Sequence, residues 1–242
     1  MNYNEELNFG QSMSRERELS MSQAFPVLMR KVYVWMTLAL VITGITAFGV
    51  ANSPGVISAL YSNQAIMWGL IIAEFALVIG ISAAINRLSL TTATLLFVLY
   101  SAINGVMLSS IFLIYTATSI ASVFFITAGT FAAMAFIGYT TKTDLTSLGK
   151  ILLMALIGLI IASLVNVFFF KSTGFDLIVS YVGVLIFVGL TAYDSQKIKQ
   201  MLLMAPDAGE TSQKIALLGA LSLYLDFINL FIYLLRILGK RE

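Results

Sequence analysis

Seven stretches of about 20 mostly apolar residues recur along the 242-residue chain, each as long as a helix must be to cross a bilayer. They fall near residues 31–51, 65–86, 91–115, 118–139, 150–170, 175–196 and 215–237. Polar and turn-forming residues separate them: Asn52 to Gly55, Asn86 with Arg87, Tyr115 to Thr118, Thr140 to Lys150, Lys171 to Gly174, and the stretch around Pro206 and Gly209. Backbone groups in lipid must be satisfied within their own segment, so each stretch is expected as a helix. The expected fold class is an all-α membrane protein with seven transmembrane helices in one domain, 31–238. A polar tail, 1–30, precedes it and a short tail, 239–242, follows. Residues 14–30 mix Leu19, Met21, Phe25 and Met29 with polar positions, which suits either a helix along the membrane surface or a disordered tail.

Composition agrees with a bilayer as solvent. Apolar residues make up 59% of the chain and charged residues 11%, against about 45–50% and 25% in soluble domains. The net charge of +2, with basic residues scattered, gives no reason to expect a nucleic-acid partner. Without cysteine or histidine there is no disulfide, thiolate or imidazole chemistry, and no cofactor is expected. Any proton or metal chemistry therefore falls to carboxylates. No nucleophile and base stand together in a recognisable motif, so enzyme activity is not expected. The first 30 residues carry Arg15, Arg17, Arg30 and four glutamates, which is not the order of a cleaved signal peptide, and the first hydrophobic helix is expected to be retained.

Basic residues orient the bundle, because they collect on the cytoplasmic side. With the N-terminus inside, the inner segments hold Arg15, Arg17, Arg30, Lys31, Arg87, Lys142, Lys150, Lys197, Lys199 and Lys214, and the outer ones hold Lys171, Arg236, Lys240 and Arg241. A cytoplasmic N-terminus in the cell (plasma or inner) membrane is the expected arrangement, with the seventh segment making a full crossing.

An ionised side chain within hydrocarbon costs about 3 kcal/mol or more, so an acid there needs a partner or a task. Asp226 has apolar flanks on both sides, LeuSerLeuTyrLeu and PheIleAsnLeuPhe, and no route to an interface. Asp194 lies near the inner end of the sixth segment, close to Lys197 and Lys199, and an interfacial acid paired with a lysine explains it equally well. Glu74 sits near the middle of the second segment, and Arg87 at its inner end matches the level of Asp194. Glu74, Asp226 and Asn229 mark a candidate ion path. Asn104, Asn166 and Asn229 read more readily as hydrogen-bonding glue between helices.

Four strings then carry a family resemblance: GYTTKTDLTSLGK at 138–150, IIASLVNVFFF at 160–170, FVGLTAYDSQKIKQM at 187–201 and LGALSLYLDFINLFIYLLRILG at 218–239. In these the chain resembles bacterial members of the Bax inhibitor-1 (transmembrane Bax inhibitor motif) family. The resemblance implies a bundle with the seventh helix near the centre, wrapped by the other six. It also implies a pH-sensitive calcium leak in which two aspartates, here Asp194 and Asp226, sense protons, and an arginine of helix two, here Arg87 by location, latches one of them. Calcium would be the transported ion, touching Asp194 and Asp226 weakly and transiently. Two carboxylates within hydrogen-bonding reach cannot both ionise cheaply, which fits a proton sensor independently. The loop at 202–211 is longer than in some relatives, so the relative depth of the two acids stays open. Some bacterial members of the family resemble regulators that restrain a membrane-anchored AAA protease, and a proton-coupled transporter of small solutes is a third reading.

Overall fold

The computed structural model describes the backbone of residues 3–241 and the side chains of residues 22–241 other than Tyr61. Of the side chains behind the surface-helix expectation for 14–30, Leu19 and Met21 lie outside the described residues, whereas Phe25 and Met29 belong to the first span, Met29 buried in the core and Phe25 packed against it. The chain runs as α1 (Tyr3–Ala51), α2 (Pro54–Ser62), α3 (Gln64–Ala84), α4 (Leu90–Leu108), α5 (Ile111–Ile114), α6 (Ala117–Thr140), α7 (Thr146–Val165), a π-helical turn (Asn166–Phe170), α8 (Thr173–Leu203) and α9 (Glu210–Leu238). Among the described residues seven segments are long and apolar enough to cross a membrane: Ser22–Ala51, Gln64–Ala84, Leu90–Ile114, Ala117–Thr140, Thr146–Phe170, Thr173–Leu203 and Glu210–Leu238. The all-α, seven-span architecture is as expected, and the protein is a multi-pass membrane protein.

Local chemistry sets the breaks. The hydroxyls of Ser89, Thr116 and Ser172 accept from the amides of Thr92, Ser119 and Phe175 and so open α4, α6 and α8; such caps contribute about 1 kcal/mol each. Pro54 starts α2, a position where its missing N–H costs nothing. Lys171, in the left-handed region at φ 48, closes the π-helical turn. Asp144 accepts from the Thr146 amide at 2.9 Å at the head of α7. The hydrogen bonds from Thr146, side chain first and then backbone, hold this exposed carboxyl below the usual carboxylate range. Its stabilising effect is therefore present above the ordinary carboxylate pKa, about 4, and disappears as pH falls through the lower folded value. Asp144→Ala is expected to lower the thermal unfolding temperature slightly at neutral pH and to leave it unchanged in strong acid.

Three boundaries differ from the sequence pattern by five residues or more. The first span begins at Ser22 rather than 31, and its helix is continuous with the preceding backbone from Tyr3. The sixth runs seven residues past 196, and the seventh starts at Glu210 rather than 215. The polar end of α8 stays helical because tertiary partners absorb it. The Gln196 side chain donates to Thr143 O and accepts from the Leu145 amide, both at 2.8 Å, and Lys199 Nζ donates to Tyr139 O at 2.8 Å. Ile198 and Leu202 are fully buried between these polar residues.

The seventh span lies at the centre. Two thirds of its membrane window is buried, 67%, against 44% or less in every other span. It packs on α8, α1, α6 and α4. Its far end docks on the turn between α5 and α6: Arg241 pairs with Tyr115, Thr116 N donates to Lys240 O at 3.1 Å, and Lys240 N donates to Ser119 Oγ at 2.9 Å. The C-terminus thus sits at the end of the bundle opposite the 204–209 loop, as a full crossing requires. Small residues let the helices meet: Gly138 of α6 lies against the Ala192 backbone of α8, and Gly105 of α4 against the Thr43 carbonyl of α1.

Candidate functional site

Asp194 is carried by α8 and Asp226 by α9. The two helices run antiparallel with a register fixed by two close approaches, Gly219 against Ile198 and Gly183 against the Tyr233 ring. That register puts Asp194 level with Leu223, and Asp226 level with Leu190 or Thr191. The acids therefore differ in depth by three to four residues, about 5 Å or one helical turn. The longer α8 and the earlier start of α9 remove most of the depth mismatch that the sequence left open.

Asp226 is 5% exposed, and its Oδ2 is buried with no hydrogen-bond partner among the described residues. The charge that acts on it is that of Asp194. Asp194 is half-buried and lines a cavity of about 210 Å³ with Ser82 of α3, Lys197 of its own helix, and Gly219 and Ser222 of α9. Asp226 lies behind this cavity, toward the core. A buried carboxyl oxygen without a donor is costly in an apolar surrounding. One acid facing a cavity and a second, unpartnered acid behind it make a place that can take up a proton or a cation. A larger cavity of about 550 Å³ opens between α1 and α6, but apolar side chains such as Met36, Phe131 and Ala132 line it and none of the acids reaches it.

The other candidates separate. Arg87 is exposed in the turn after α3 and makes no ion pair among the described residues. Its helix packs chiefly against α4, while Ser82, five residues earlier, lines the Asp194 cavity. The cation acting on Asp194 is Lys197, one turn along α8, whose Nζ lies 5.7 Å over the Tyr193 ring. Loops at this end are tied by other contacts. Lys214 pairs with Glu210 at 3.1 Å, Glu210 accepts from the Leu90 amide at 3.0 Å, and Lys31 donates to Gln213 at 2.6 Å. Among the described residues no three or more His, Cys, Asp or Glu side chains group as metal ligands.

Glu74 does not meet Asp226. Its Oε1 accepts from Asn104 Nδ2 at 3.1 Å, and Asn104 Oδ1 accepts from the Tyr224 hydroxyl at 3.1 Å. The Tyr224 hydroxyl also lies 2.6 Å from Thr43 Oγ1. Asn104 is thus glue between helices, as expected. Asn166 is as well, binding Asp176 and the 172 backbone across the turn into α8. Asn229 is not, since its amide donates to Leu225 O of its own helix. Tyr224 and Thr43 escaped the sequence reading. A tyrosine in mid-span, in LeuSerLeuTyrLeu, was the available signal, because a buried phenol needs a partner.

A sequence model of the family described as "Inhibitor of apoptosis-promoting Bax1" matches residues 26–242. The chain is 54% identical over 216 residues to the inner membrane protein YbhL of Escherichia coli K12, covering 88% of this chain and 92% of that one. An uncharacterized protein of Borreliella burgdorferi is 50% identical over 212 residues, with 88% and 91% covered. The uncharacterized protein RP147 of Rickettsia prowazekii is 44% identical over 216 residues, with 88% and 89% covered. A match over nearly all of the membrane domain, carried by relatives of this similarity, shows that the chain belongs to the Bax inhibitor-1 family.

Proposed function

We propose that the protein is a pH-sensitive calcium leak channel of the cell's inner membrane, with its N-terminus in the cytoplasm and with Asp194 and Asp226 as its proton sensor. The observation that carries this reading is the buried, unpartnered Oδ2 of Asp226, one turn from an acid that lines a cavity. The Escherichia coli relative's designation as an inner membrane protein supports the membrane assigned, and the crowding of basic residues at the 85–89, 141–145 and 204–209 end supports the orientation.

In this mechanism Asp194 takes the proton or cation first and Asp226 shares its charge. When Asp194 is ionised it attracts the cations at its end of the bundle: Lys197 on its own helix, and Arg87, assigned as the latch that draws α3 toward α8. Protonation removes the attraction and the cavity end loosens, a population shift between two arrangements. Calcium is the cargo. It takes 6–8 oxygens, and two carboxylates with neighbouring hydroxyls and carbonyls supply a passing contact rather than a storage site. Purified protein in liposomes is expected to admit calcium faster at about pH 6 than at about pH 8. A flux that is absent or flat with pH overturns the reading.

One observation favours a second role, as a regulator that binds a membrane-anchored AAA protease. The backbone of α1 continues as one helix from the first span back to Tyr3, and its polar N-terminal stretch would be the handle. Deleting residues 1–21, which precede the first span, is expected to abolish co-purification with the protease and to leave calcium flux intact if that role exists. Unchanged co-purification removes it.

A further inference from the structure

We propose that Glu74 is a second proton-binding site, and that its proton sets the direction of a hydrogen-bond chain running from α3 through α4 and α9 to α1. Four contacts form the chain. Glu74 Oε1 to the Asn104 amide is 3.1 Å, the Asn104 amide to the Tyr224 hydroxyl 3.1 Å, the Tyr224 hydroxyl to Thr43 Oγ1 2.6 Å, and Thr43 Oγ1 to Ser101 O 2.9 Å. Glu74 is at the midpoint of the 21-residue α3, so the chain lies in the middle of the membrane. Thr43 is 3% exposed, Ser101 and Tyr224 0%, so these three are shielded from bulk solvent.

Counting protons decides what the chain can hold. With Glu74 ionised, Asn104 Nδ2 donates to it, Tyr224 donates to Asn104 Oδ1, and Thr43 donates either to Tyr224 or to Ser101 O. Three protons then serve four contacts, and one contact is empty. A half-turn of the Asn104 amide exchanges its donor and acceptor ends. With that turn and a proton on Glu74, the acid donates to Asn104 Oδ1, Asn104 Nδ2 donates to Tyr224, Tyr224 to Thr43, and Thr43 to Ser101 O. Four protons serve four contacts. One proton on Glu74 therefore completes the chain, and its loss reverses the first two bonds and opens the bond between α1 and α4, or that between Thr43 and Tyr224. The α1–α4 interface is tight at this level, since a Cβ added to Gly105 would stand 2.6 Å from Thr43 O.

Among the described residues no lysine or arginine pairs with Glu74, and the Asn104 amide is the donor that meets its charge. The titratable groups facing it are Tyr100 of α4 and Tyr224 of α9. Its neighbour α2 carries no titratable side chain among the described residues, and no lysine or arginine lies at the middle of a span. The site reaches Tyr224, two residues before Asp226 on the central helix, so its proton state biases the helix that carries the sensor. This inference rests on hydrogen-bond geometry and stands apart from the calcium reading.

Infrared spectroscopy of the protein in lipid nanodiscs tests it. At about neutral pH one carbonyl band of a protonated carboxylic acid is expected to vanish in Glu74→Gln and to persist in Asp194→Asn and Asp226→Asn, which remove only a band of the aspartate pair. Gln supplies the donor that the acid proton provided, so this variant is expected to keep the wild-type unfolding temperature. Tyr224→Phe is expected to shift the same band, because hydrogen bonds in a chain polarise one another. If Glu74→Gln removes no acid band at any pH at which the protein is folded, or if the band ignores Tyr224→Phe, the proposal is overturned. Should Glu74→Gln not fold, the response to Tyr224→Phe decides alone.

Discussion

Asp226→Asn is expected to abolish the pH dependence of calcium flux while leaving a folded protein. Asparagine matches aspartate in shape, so the packing of the central helix survives, but the group can no longer ionise. A wild-type change in flux of about tenfold between pH 6 and pH 8 corresponds to about 1.4 kcal/mol of gate bias. In the variant the ratio is expected to fall below about twofold. The buried environment sharpens the expectation, because among the described residues Oδ2 has no hydrogen-bond partner to offset its charge. The check is stopped-flow calcium entry into liposomes, with the unfolding temperature measured beside it. An unchanged pH profile in a folded variant removes Asp226 from the sensor.

Gly138→Leu is expected to have the largest effect on stability. A Cβ on Gly138 would overlap the Ala192 carbonyl and Cα, which are backbone and cannot swing aside. Overpacking of this kind costs about 1–3 kcal/mol for small additions, and leucine adds three more carbons. The separation of α6 from α8 would also break the bond from Ser195 Oγ to Ala135 O, 2.8 Å, beside Asp194. A lowered unfolding temperature and a higher, less pH-sensitive leak are expected together. Gly129→Ala is the control, since nothing lies within 4 Å of a Cβ there and alanine favours the helix by about 1 kcal/mol. Equal effects at the two glycines would show that helix propensity, not the α6–α8 contact, is being measured.

The bundle was legible because lipid leaves only helices and because turn residues mark the breaks. The ends of α8 and α9 were not, since Gln196 and Lys199 look like interfacial residues until Thr143, Leu145 and Tyr139 are seen to bind them. That error mattered, because it set the depth of Asp194 against Asp226. The unsatisfied acid at 226 was visible from its flanks alone. The partners of Glu74 were not, because which face of α4 meets which face of α9 is decided by packing between segments distant in sequence. Arg87 shows the opposite limit: its level along the helix was read from the sequence, but its distance from Asp194 depends on how far α3 stands from the core.

The central claim is that Asp194 and Asp226 act as one interacting pair. The most direct measurement is the pH midpoint of calcium flux in wild type, Asp194→Asn, Asp226→Asn and the double variant. Interaction predicts non-additivity: either single substitution removes most of the response, and the double variant behaves like Asp226→Asn. Independent shifts that add in the double variant would contradict a shared site.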